Sequence, residues 1–426
     1  MKKKVKEWSE DIEELAKIAE FDPQLAYCAY IFAASKRWQF VMRTTPFVSE
    51  WMKPLEILIR EKLIPALIGP QIISEDMRSV FALPARVGGL GLSVPHKECE
   101  IEYANSKTMT QQLSNAIFEQ DRTFVVDEVL RSKAVKEVRE RKADKIKREM
   151  ELLGRKLSND MMKLLELCSE KGASIWLTSL PLKKCGFRLN KQQFHDSICI
   201  RYNLRPNDIP RKCACGEDYN VSHCLTCEWG GFRNIRHDAV RDTFADLISE
   251  IGKDVRKEPP LLPVPSGASL PSGTNIKDGA RSDVCALNVW NPLAKAFFDV
   301  RVFNPLAKTN WAMLPAQMYL THENEKKRKY NHRILEIERG TFTPLVFSCS
   351  GGAGLEADHF IKHLAKIMSE KKAEPYAKVV SVIRRRLRFD ILRTCNLSLR
   401  GFRDAKAAPS LGKVEFELCR PGNDEF

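Results

Sequence analysis

The chain has 426 residues, 43% of them hydrophobic, and a formal net charge of +14, with 69 Lys and Arg against 55 Asp and Glu. This length predicts two or three domains, and the pattern predicts neither a membrane span nor a signal peptide. The basic balance favours anionic partners, with nucleic acid first among them. The 13 cysteines are an odd and mostly scattered set, which favours reduced thiols with metal binding where they cluster.

Residues 1–114 predict a helical region. Apolar residues recur at helical spacing over residues 5–19, 25–42 and 51–67. Residues 83–92 then place several glycines between apolar residues. This density predicts a tight turn or a close approach of two backbone segments.

Residues 115–172 predict a charged helical linker. Basic and acidic residues alternate over residues 131–156, which is typical of a long solvated helix. Such a helix could also pair with another helix or with a phosphate backbone.

Residues 173–230 predict a linker that leads into a small metal-binding module. Three cysteines and one histidine have the spacing C-x-C-x7-H-x3-C: they are Cys213, Cys215, His223 and Cys227. Zinc takes four nitrogen or sulfur ligands in a closed structural site. Cys224 competes for the fourth position, but Cys227 is four residues after His223, so that both can point to one metal from a single helical turn. We therefore predict a structural zinc site.

Residues 231–372 predict an α/β core. The first helix, over residues 235–251, carries Arg236 and His237 in its first turn, where they could hold a phosphate or cap the zinc module. The elements that follow are predicted at residues 255–258, 279–284, 296–303, 323–330, 342–348 and 358–371. The order is helix, three strands, helix, strand, helix.

Two acidic residues stand on neighbouring predicted strands of this core. A carboxylate such as Asp299 on an otherwise apolar strand costs free energy unless a cation or donors meet it. Together, Asp283 and Asp299 would form a site for a hard divalent cation such as Mg²⁺. Arg301 lies two residues after Asp299 and therefore points to the same face of the strand. An ion pair between Asp299 and Arg301 on a half-exposed strand is the alternative interpretation.

Metal-dependent phosphodiester hydrolysis also needs a cation near the attacking water or the phosphate. Arg301 cannot lose a proton in a protein, so it suits phosphate binding better than proton transfer. Lys326 or Lys327, on the next predicted helix, is the alternative source of a catalytic lysine. A solvated helical face is the other interpretation of these two lysines.

Three segments together resemble the C-terminal region of non-LTR retrotransposon polyproteins that carry a restriction-like endonuclease. The first is Pro-x-x-x-Gly-Gly-Leu-Gly within residues 83–92, similar to the region just beyond the reverse-transcriptase palm. The second is the CCHC module followed by Arg236-His237-Asp238, similar to the family's Arg-His-Asn. The third is Ser282-Asp283 with Asp299 and the lysine helix, similar to Pro-Asp…Asp…Lys…Lys-Tyr. The resemblance covers residues 5–354.

The resemblance implies an α+β multidomain protein. It would consist of a thumb-like helical region, a zinc module and a restriction-endonuclease-like PD-(D/E)xK core. Such a protein nicks one DNA strand so that a reverse transcriptase can prime on the free 3′ hydroxyl. By position, Asp283 and Asp299 would bind Mg²⁺, and Lys326 or Lys327 would be the catalytic lysine. The implied partners are DNA, the element's RNA and the polymerase portion of the same element, and the implied location is the nucleus, or the cytoplasm. Beyond the resemblance, residues 373–426 predict a basic tail with a basic helix end at Arg384-Arg385-Arg386-Leu387-Arg388.

The sequence also departs from the family pattern. Ser282 stands where Pro is usual, Arg301 where Lys is common and Asp238 where Asn is usual. A Tyr/Phe-x-Asp-Asp polymerase motif does not occur in the sequence, so we expect a C-terminal fragment or a domesticated copy that does not polymerise DNA. The alternatives are a catalytically inactive nucleic-acid-binding remnant, favoured by Ser282 and Arg301, and a protein-interaction scaffold formed by residues 1–170.

Overall fold

A computed structural model of the chain describes residues 1–69, 73–206, 208–267 and 269–403. In these ranges the fold is mixed α+β, with many helices and a four-stranded mixed sheet. The chain divides into two compact units. The first holds residues 1–165 and 189–195, and the second holds residues 166–188 and the described residues from 196 onward.

The first unit is helical, as the sequence predicts. Trp38 packs against both Trp8 and Tyr30 at its centre, with 6.1 Å between ring centroids in each pair. Short π-helical segments, Tyr30–Ala34 and Ile59–Leu63, join α2 to α3 and α4 to α5. The helices are α1 (Lys2–Ala19), α2 (Pro23–Ala29), α3 (Ser35–Thr44), α4 (Lys53–Leu58), α5 (Ile64–Ile68), α6 (Glu75–Ala82), α7 (Pro95–Phe118) and α8 (Glu128–Gly154).

The glycine-rich stretch forms the close backbone approach that its composition predicts. The backbone N–H of Gly91 donates to the Leu83 carbonyl at 2.8 Å. A Cβ on Gly89 would lie 1.9 Å from that same oxygen, so another side chain cannot fit there. Gly88 and Gly91 both have positive φ, at 93° and 72°, which favours glycine. The stretch therefore serves as a folded turn of the first unit.

The predicted charged helix is α8, and it pairs with another helix. Glu102 of α7 is buried, and its carboxylate accepts from Lys142 of α8 at 2.9 Å and from Arg43 at 2.8 Å. Most other side chains of α8 are exposed or half-buried. The predicted boundary between residues 114 and 115 falls inside α7. The helical region therefore extends to residue 118, and residues 119–127 connect it to α8.

Two helices cross the division of the chain, α9 (Asn159–Ser169) and α10 (Lys191–Tyr202). The second unit then contains the sheet and the helices around it, in the order that the sequence predicts. They are α11 (Val221–Thr226), α12 (Phe232–Ser249), β1 (Lys253–Lys257), β2 (Val284–Leu287), β3 (Lys295–Phe303), α13 (Lys308–Trp311), α14 (Pro315–Arg333), β4 (Thr341–Ser348), α15 (Leu355–Lys372) and α16 (Tyr376–Arg400).

The sheet has the strand order β1-β2-β3-β4. β1, β2 and β3 are antiparallel neighbours, whereas β3 and β4 are parallel and joined by α14. Val284 of β2 lies opposite Phe298 of β3, and Asp299 lies opposite Pro344 of β4. The two predicted acids are thus at adjoining positions on neighbouring strands, with Asp283 directly before β2.

The two faces of the sheet are covered differently. One face carries alternate apolar residues, among them Phe298 and Val300, which pack with Phe244 of α12 and Phe360 of α15 in the main core of this unit. The opposite face carries Asp299 and Arg301 and is covered by α14. This alternation follows from the two-residue period of a strand.

The predicted basic tail from residue 373 includes a long helix that packs into this unit. Residues 376–400 form α16, whose apolar side chains pack into the main core. Arg388 is buried and donates to the carbonyls of Ala173 and Cys349, both at 3.1 Å. A guanidinium can be buried when its N–H groups find such acceptors. Residues 404–426 of the predicted tail lie outside the described residues.

A long loop, residues 258–283, joins β1 to β2. Arg333, the last residue of α14, is fully buried beneath it. Its guanidinium donates to the carbonyls of Leu262 at 2.8 Å, Asn275 at 2.6 Å and Lys277 at 3.1 Å. One side chain therefore holds both halves of the loop.

Candidate functional site

The four predicted zinc ligands come together. Their ligand atoms all lie within 4.8 Å of one another. Cys227 Sγ is 3.9 Å from the Sγ atoms of both Cys213 and Cys215, and Cys215 Sγ is 3.4 Å from His223 Nε2. Ligand atoms in a tetrahedron with zinc–sulfur bonds of about 2.3 Å lie about 3.8 Å apart. The cluster can therefore hold a metal ion such as zinc.

Local backbone structure brings these ligands to one point. Gly216, with φ of 94°, closes a turn in which its N–H donates to the Cys213 carbonyl at 2.9 Å. Asn220 caps α11 by accepting from the N–H of His223 at 2.9 Å. Cys227 lies at the end of α11, where its N–H donates to the His223 carbonyl at 2.7 Å. His223 and Cys227 are thus one helical turn apart, as predicted.

The structure separates the two candidate cysteines. Cys224 is buried and is not a member of the ligand group, whereas Cys227 is. Burial, helped by the nearby Arg403, lowers the pKa of His223. Its ring is therefore neutral at physiological pH, as a metal ligand must be.

The module is joined to the rest of its unit by hydrogen bonds from buried side chains. Tyr219 donates to the carbonyl of Leu399 at 2.9 Å. Arg236 of α12 donates to the carbonyl of Leu225 at 2.8 Å, so it caps α11, one of the two roles that its position predicts. The metal module and α16 are consequently parts of one folded unit.

The acidic site is built from β2, β3, α12 and α14. Asp283 Oδ2 accepts from the N–H of Val300 at 2.6 Å and faces His237 Nε2 at 3.0 Å. The backbone N–H of Asp283 also donates to the Phe298 carbonyl at 3.1 Å. Asp283 is therefore tied to β3 on both sides of Asp299, through its carboxylate at Val300 and through its backbone N–H at Phe298.

Asp299 is the buried member of the acid pair, 3% exposed. Lys326 Nζ of α14 forms an ion pair with its Oδ2, although the contact lacks the alignment of a hydrogen bond. Burial raises the pKa of Asp299 to about 6, against the attraction of Lys326, and repulsion from Asp283 adds to the rise. The fold thus holds two carboxylates close enough to oppose each other's charge.

The structure distinguishes among the predicted cations. Lys326 lies at Asp299, whereas Lys327 pairs with Glu356 of α15. Arg301 pairs with Glu325 of α14 at 2.7 Å, so the alternative ion pair between Asp299 and Arg301 is wrong. Arg301 does share a strand face with Asp299, as the spacing predicts. Of the three cations, Lys326 is therefore the one that meets the acid pair.

Sequence reasoning missed the role of His237. Its Nε2 faces Asp283 and its Nδ1 lies 3.1 Å from Asp238 Oδ1. Burial opposes the charged ring, but the hydrogen bonds to Asp238 and Asp283 outweigh it and raise the pKa of His237 to about 9. The adjacent acid, Asp238, was the available local signal, but the partner 46 residues away is a tertiary contact.

The acid pair also suits a hard cation. Carboxylate oxygens are the ligands that Mg²⁺ prefers, and Asp299 Oδ2 is a buried oxygen that lacks a well-aligned donor. Within the described ranges, the Cys/His cluster is the one group of three or more His, Cys, Asp or Glu residues with ligand atoms this close together. A cation at the acid pair would therefore take most of its remaining ligands from water or a phosphate.

A scan against protein-family models gives no match for this chain, and a search of curated proteins finds no significant relative. Among the described helices, none is both long and apolar enough to cross a membrane.

Proposed function

We propose that this chain is the endonuclease-bearing C-terminal region of a non-LTR retrotransposon polyprotein. It would cut one strand of target DNA in a Mg²⁺-dependent reaction, to prime reverse transcription by the polymerase portion of the element. The observation that carries the proposal is the placement of Asp283, directly before β2, beside Asp299 of β3, with Lys326 at the buried acid. The element order, the CCHC module upstream and the net charge of +14 support it.

Each residue has a distinct part in the proposed reaction. Asp283 and Asp299 would hold the cation, which polarises the scissile phosphate and activates water. Lys326, which forms an ion pair with the buried acid, would supply a cation for the developing charge on the phosphate. Arg301 would contact the DNA backbone from the same strand face. The Cys/His cluster would hold zinc in a structural role, because all four of its ligand positions come from the protein.

The test is nicking of supercoiled plasmid by the full chain with Mg²⁺. We expect conversion to the open circle when Mg²⁺ is present and none when Mg²⁺ is omitted from the buffer. Asp283→Asn and Asp299→Asn should each reduce the rate at least about 100-fold, since a bound metal contributes several kcal/mol to such a reaction.

Asp254→Asn is the matched control, because Asp254 is an exposed carboxylate at β1 that pairs with Arg256. It should nick at the wild-type rate. Full activity in both acid-pair variants would overturn the site assignment, and absence of nicking by the wild-type chain would overturn the proposed activity.

A second candidate is a catalytically inactive nucleic-acid-binding protein. The observation that favours it is the occupation of the acids by protein groups: Asp283 by His237, and Asp299 by Lys326. Arg301, at the position of the usual lysine, is also paired with Glu325. This candidate predicts DNA or RNA binding that weakens steeply with salt, with no nicking at any Mg²⁺ concentration.

A further inference from the structure

The starting point is a chain of three side chains at the acidic site. Asp238 Oδ1 lies 3.1 Å from His237 Nδ1, and His237 Nε2 lies 3.0 Å from Asp283 Oδ2. Asp238 is itself held by Arg241, 3.1 Å away on the next turn of α12. The imidazole therefore lies between two carboxylates, one from its own helix and one at the start of β2.

These contacts involve one carboxylate oxygen of Asp283 and not the other. Oδ2 meets both His237 and the N–H of Val300, whereas Oδ1 has no hydrogen-bond partner among the described residues. Two contacts to one oxygen fix the plane of a carboxylate as well as its position. Asp283 is thereby prepared to bind a cation through a single oxygen.

We infer that His237 is a positioning residue, which orients Asp283 as a one-oxygen ligand for the divalent cation, and that Asp238 in turn orients His237. The inference rests on the proposed function, because it concerns the same cation. In metal sites such outer groups set the orientation of the ligand, and their loss typically costs 10- to 100-fold in metal affinity or activity. His237 acts through Asp283 and does not itself contact the cation.

The surroundings argue that this contact does more than join α12 to the sheet. The packing of α12 on β2 and β3 already comes from apolar residues, among them Val240, Phe244 and Ile248, each fully buried. The side chain of Asp238 is 47% exposed, so little of the fold depends on it. The half-exposed Asp238 contacts His237, and His237 contacts Asp283. The need to orient Asp283 explains this arrangement.

The test measures cation affinity separately from turnover. Mn²⁺ serves as the probe, because its free concentration is read by EPR in the full zinc-loaded chain without DNA. We expect His237→Ala to weaken Mn²⁺ binding on the order of 10- to 100-fold. The Mg²⁺ concentration for half-maximal nicking should rise by a similar factor, with the rate at saturating Mg²⁺ within a few-fold of wild type.

Two further variants separate positioning from folding. His237→Gln can still place a nitrogen donor at Asp283 and should recover part of the lost Mn²⁺ affinity, whereas Asp238→Asn should lose affinity less than His237→Ala does. His359→Ala, at an exposed histidine of α15, is the matched control and should bind Mn²⁺ like the wild type.

The outcomes distinguish the two proposals. If wild type binds Mn²⁺ and nicks DNA but His237→Ala and His237→Gln bind Mn²⁺ equally well, the positioning role is wrong and the proposed function stands. If wild type neither binds Mn²⁺ nor nicks, both proposals fail. If His237→Ala is poorly folded, the comparison of Asp238→Asn with the wild type decides, and unchanged Mn²⁺ affinity in that variant rejects the role.

Discussion

The two candidate metal sites of this protein differ in how their charges are balanced. The Cys/His cluster presents four ligand atoms within 4.8 Å of one another, supplied by 15 consecutive residues. At the acidic site, cationic side chains from α12 and α14 face the acids, His237 at Asp283 and Lys326 at Asp299. We therefore expect the first site to depend on a bound metal ion for its stability, whereas the second has protein cations in place.

The largest effect should come from the Cys/His cluster. Cys227→Ala should abolish binding of one zinc per chain and lower the Tm of the second unit by about 10 °C or more, since structural zinc supplies on the order of 10 kcal/mol to such modules. Cys224→Ala is the matched control and should keep the zinc, despite being the neighbouring buried cysteine. Zinc content by atomic absorption and calorimetry check both. If Cys224→Ala lost the zinc and Cys227→Ala kept it, Cys224 would be the fourth ligand instead of Cys227.

Removing the cation at the buried acid should have the next largest effect. Lys326→Met leaves the Asp299 carboxylate buried without its partner and should lower the Tm by about 4–8 °C at pH 7.5, equivalent to about 2 kcal/mol. Lys327→Met is the control. Its ion pair with Glu356 is 40% and 35% exposed, so its loss should cost less than about 1 kcal/mol. If the two variants lowered the Tm equally, the assignment of Lys326 as the partner of the buried acid would be wrong.

Neutralising the buried acid should instead stabilise the fold. The pKa of Asp299 is about 6 in the folded chain and close to 3.8 when unfolded, so the folded state binds the proton more tightly and stability increases as pH falls through that window. Asp299→Asn mimics the protonated acid. It should therefore raise the Tm by about 5 °C above pH 7, on the order of 2 kcal/mol, with the gain vanishing below pH 4. Calorimetry from pH 4 to pH 8 measures this gain in Tm. A gain that did not change with pH would have a cause other than the loss of the buried charge.

The smallest effect should be at Arg301. Its ion pair with Glu325 leaves both side chains about one-third exposed, so Arg301→Gln should change the Tm by less than about 2 °C. If Arg301 contacts DNA, the same variant should weaken plasmid binding and reduce its salt dependence. A large loss of stability with unchanged DNA binding would make Arg301 a structural residue.

The structural features that could be predicted best from the sequence are those that depend on the spacing of nearby residues. The Cys/His ligands lie within one short segment, and the strands β2, β3 and β4 are short apolar runs whose order could be predicted from their flanking turns. The choice between Lys326 and Lys327 could not be made, because it depends on how α14 is rotated over the sheet. The pairing of His237 with Asp283 depends on two elements far apart in sequence.

The burial of α16 could not be predicted from the sequence either. The run Arg384-Arg385-Arg386-Leu387-Arg388 has the composition of a solvated surface. In the fold Arg384 pairs with Asp358 at 2.7 Å, and Arg388 reaches main-chain carbonyls. Every residue has a backbone carbonyl, so the sequence does not show which carbonyls will accept hydrogen bonds from a guanidinium. The burial of Arg388 therefore cannot be predicted from its neighbours along the chain.

The anchoring of the 258–283 loop by Arg333 has a consequence for how this molecule can diversify. The carbonyls of Leu262, Asn275 and Lys277 all accept hydrogen bonds from the one buried guanidinium of Arg333. The two ends of the segment between residues 262 and 275 are therefore held in place, so that the position of Asp283 does not depend on the length of this segment. The same helix, α14, carries Lys326. We therefore expect insertions or substitutions between residues 262 and 275 to leave the spacing of Asp283, Asp299 and Lys326 unchanged.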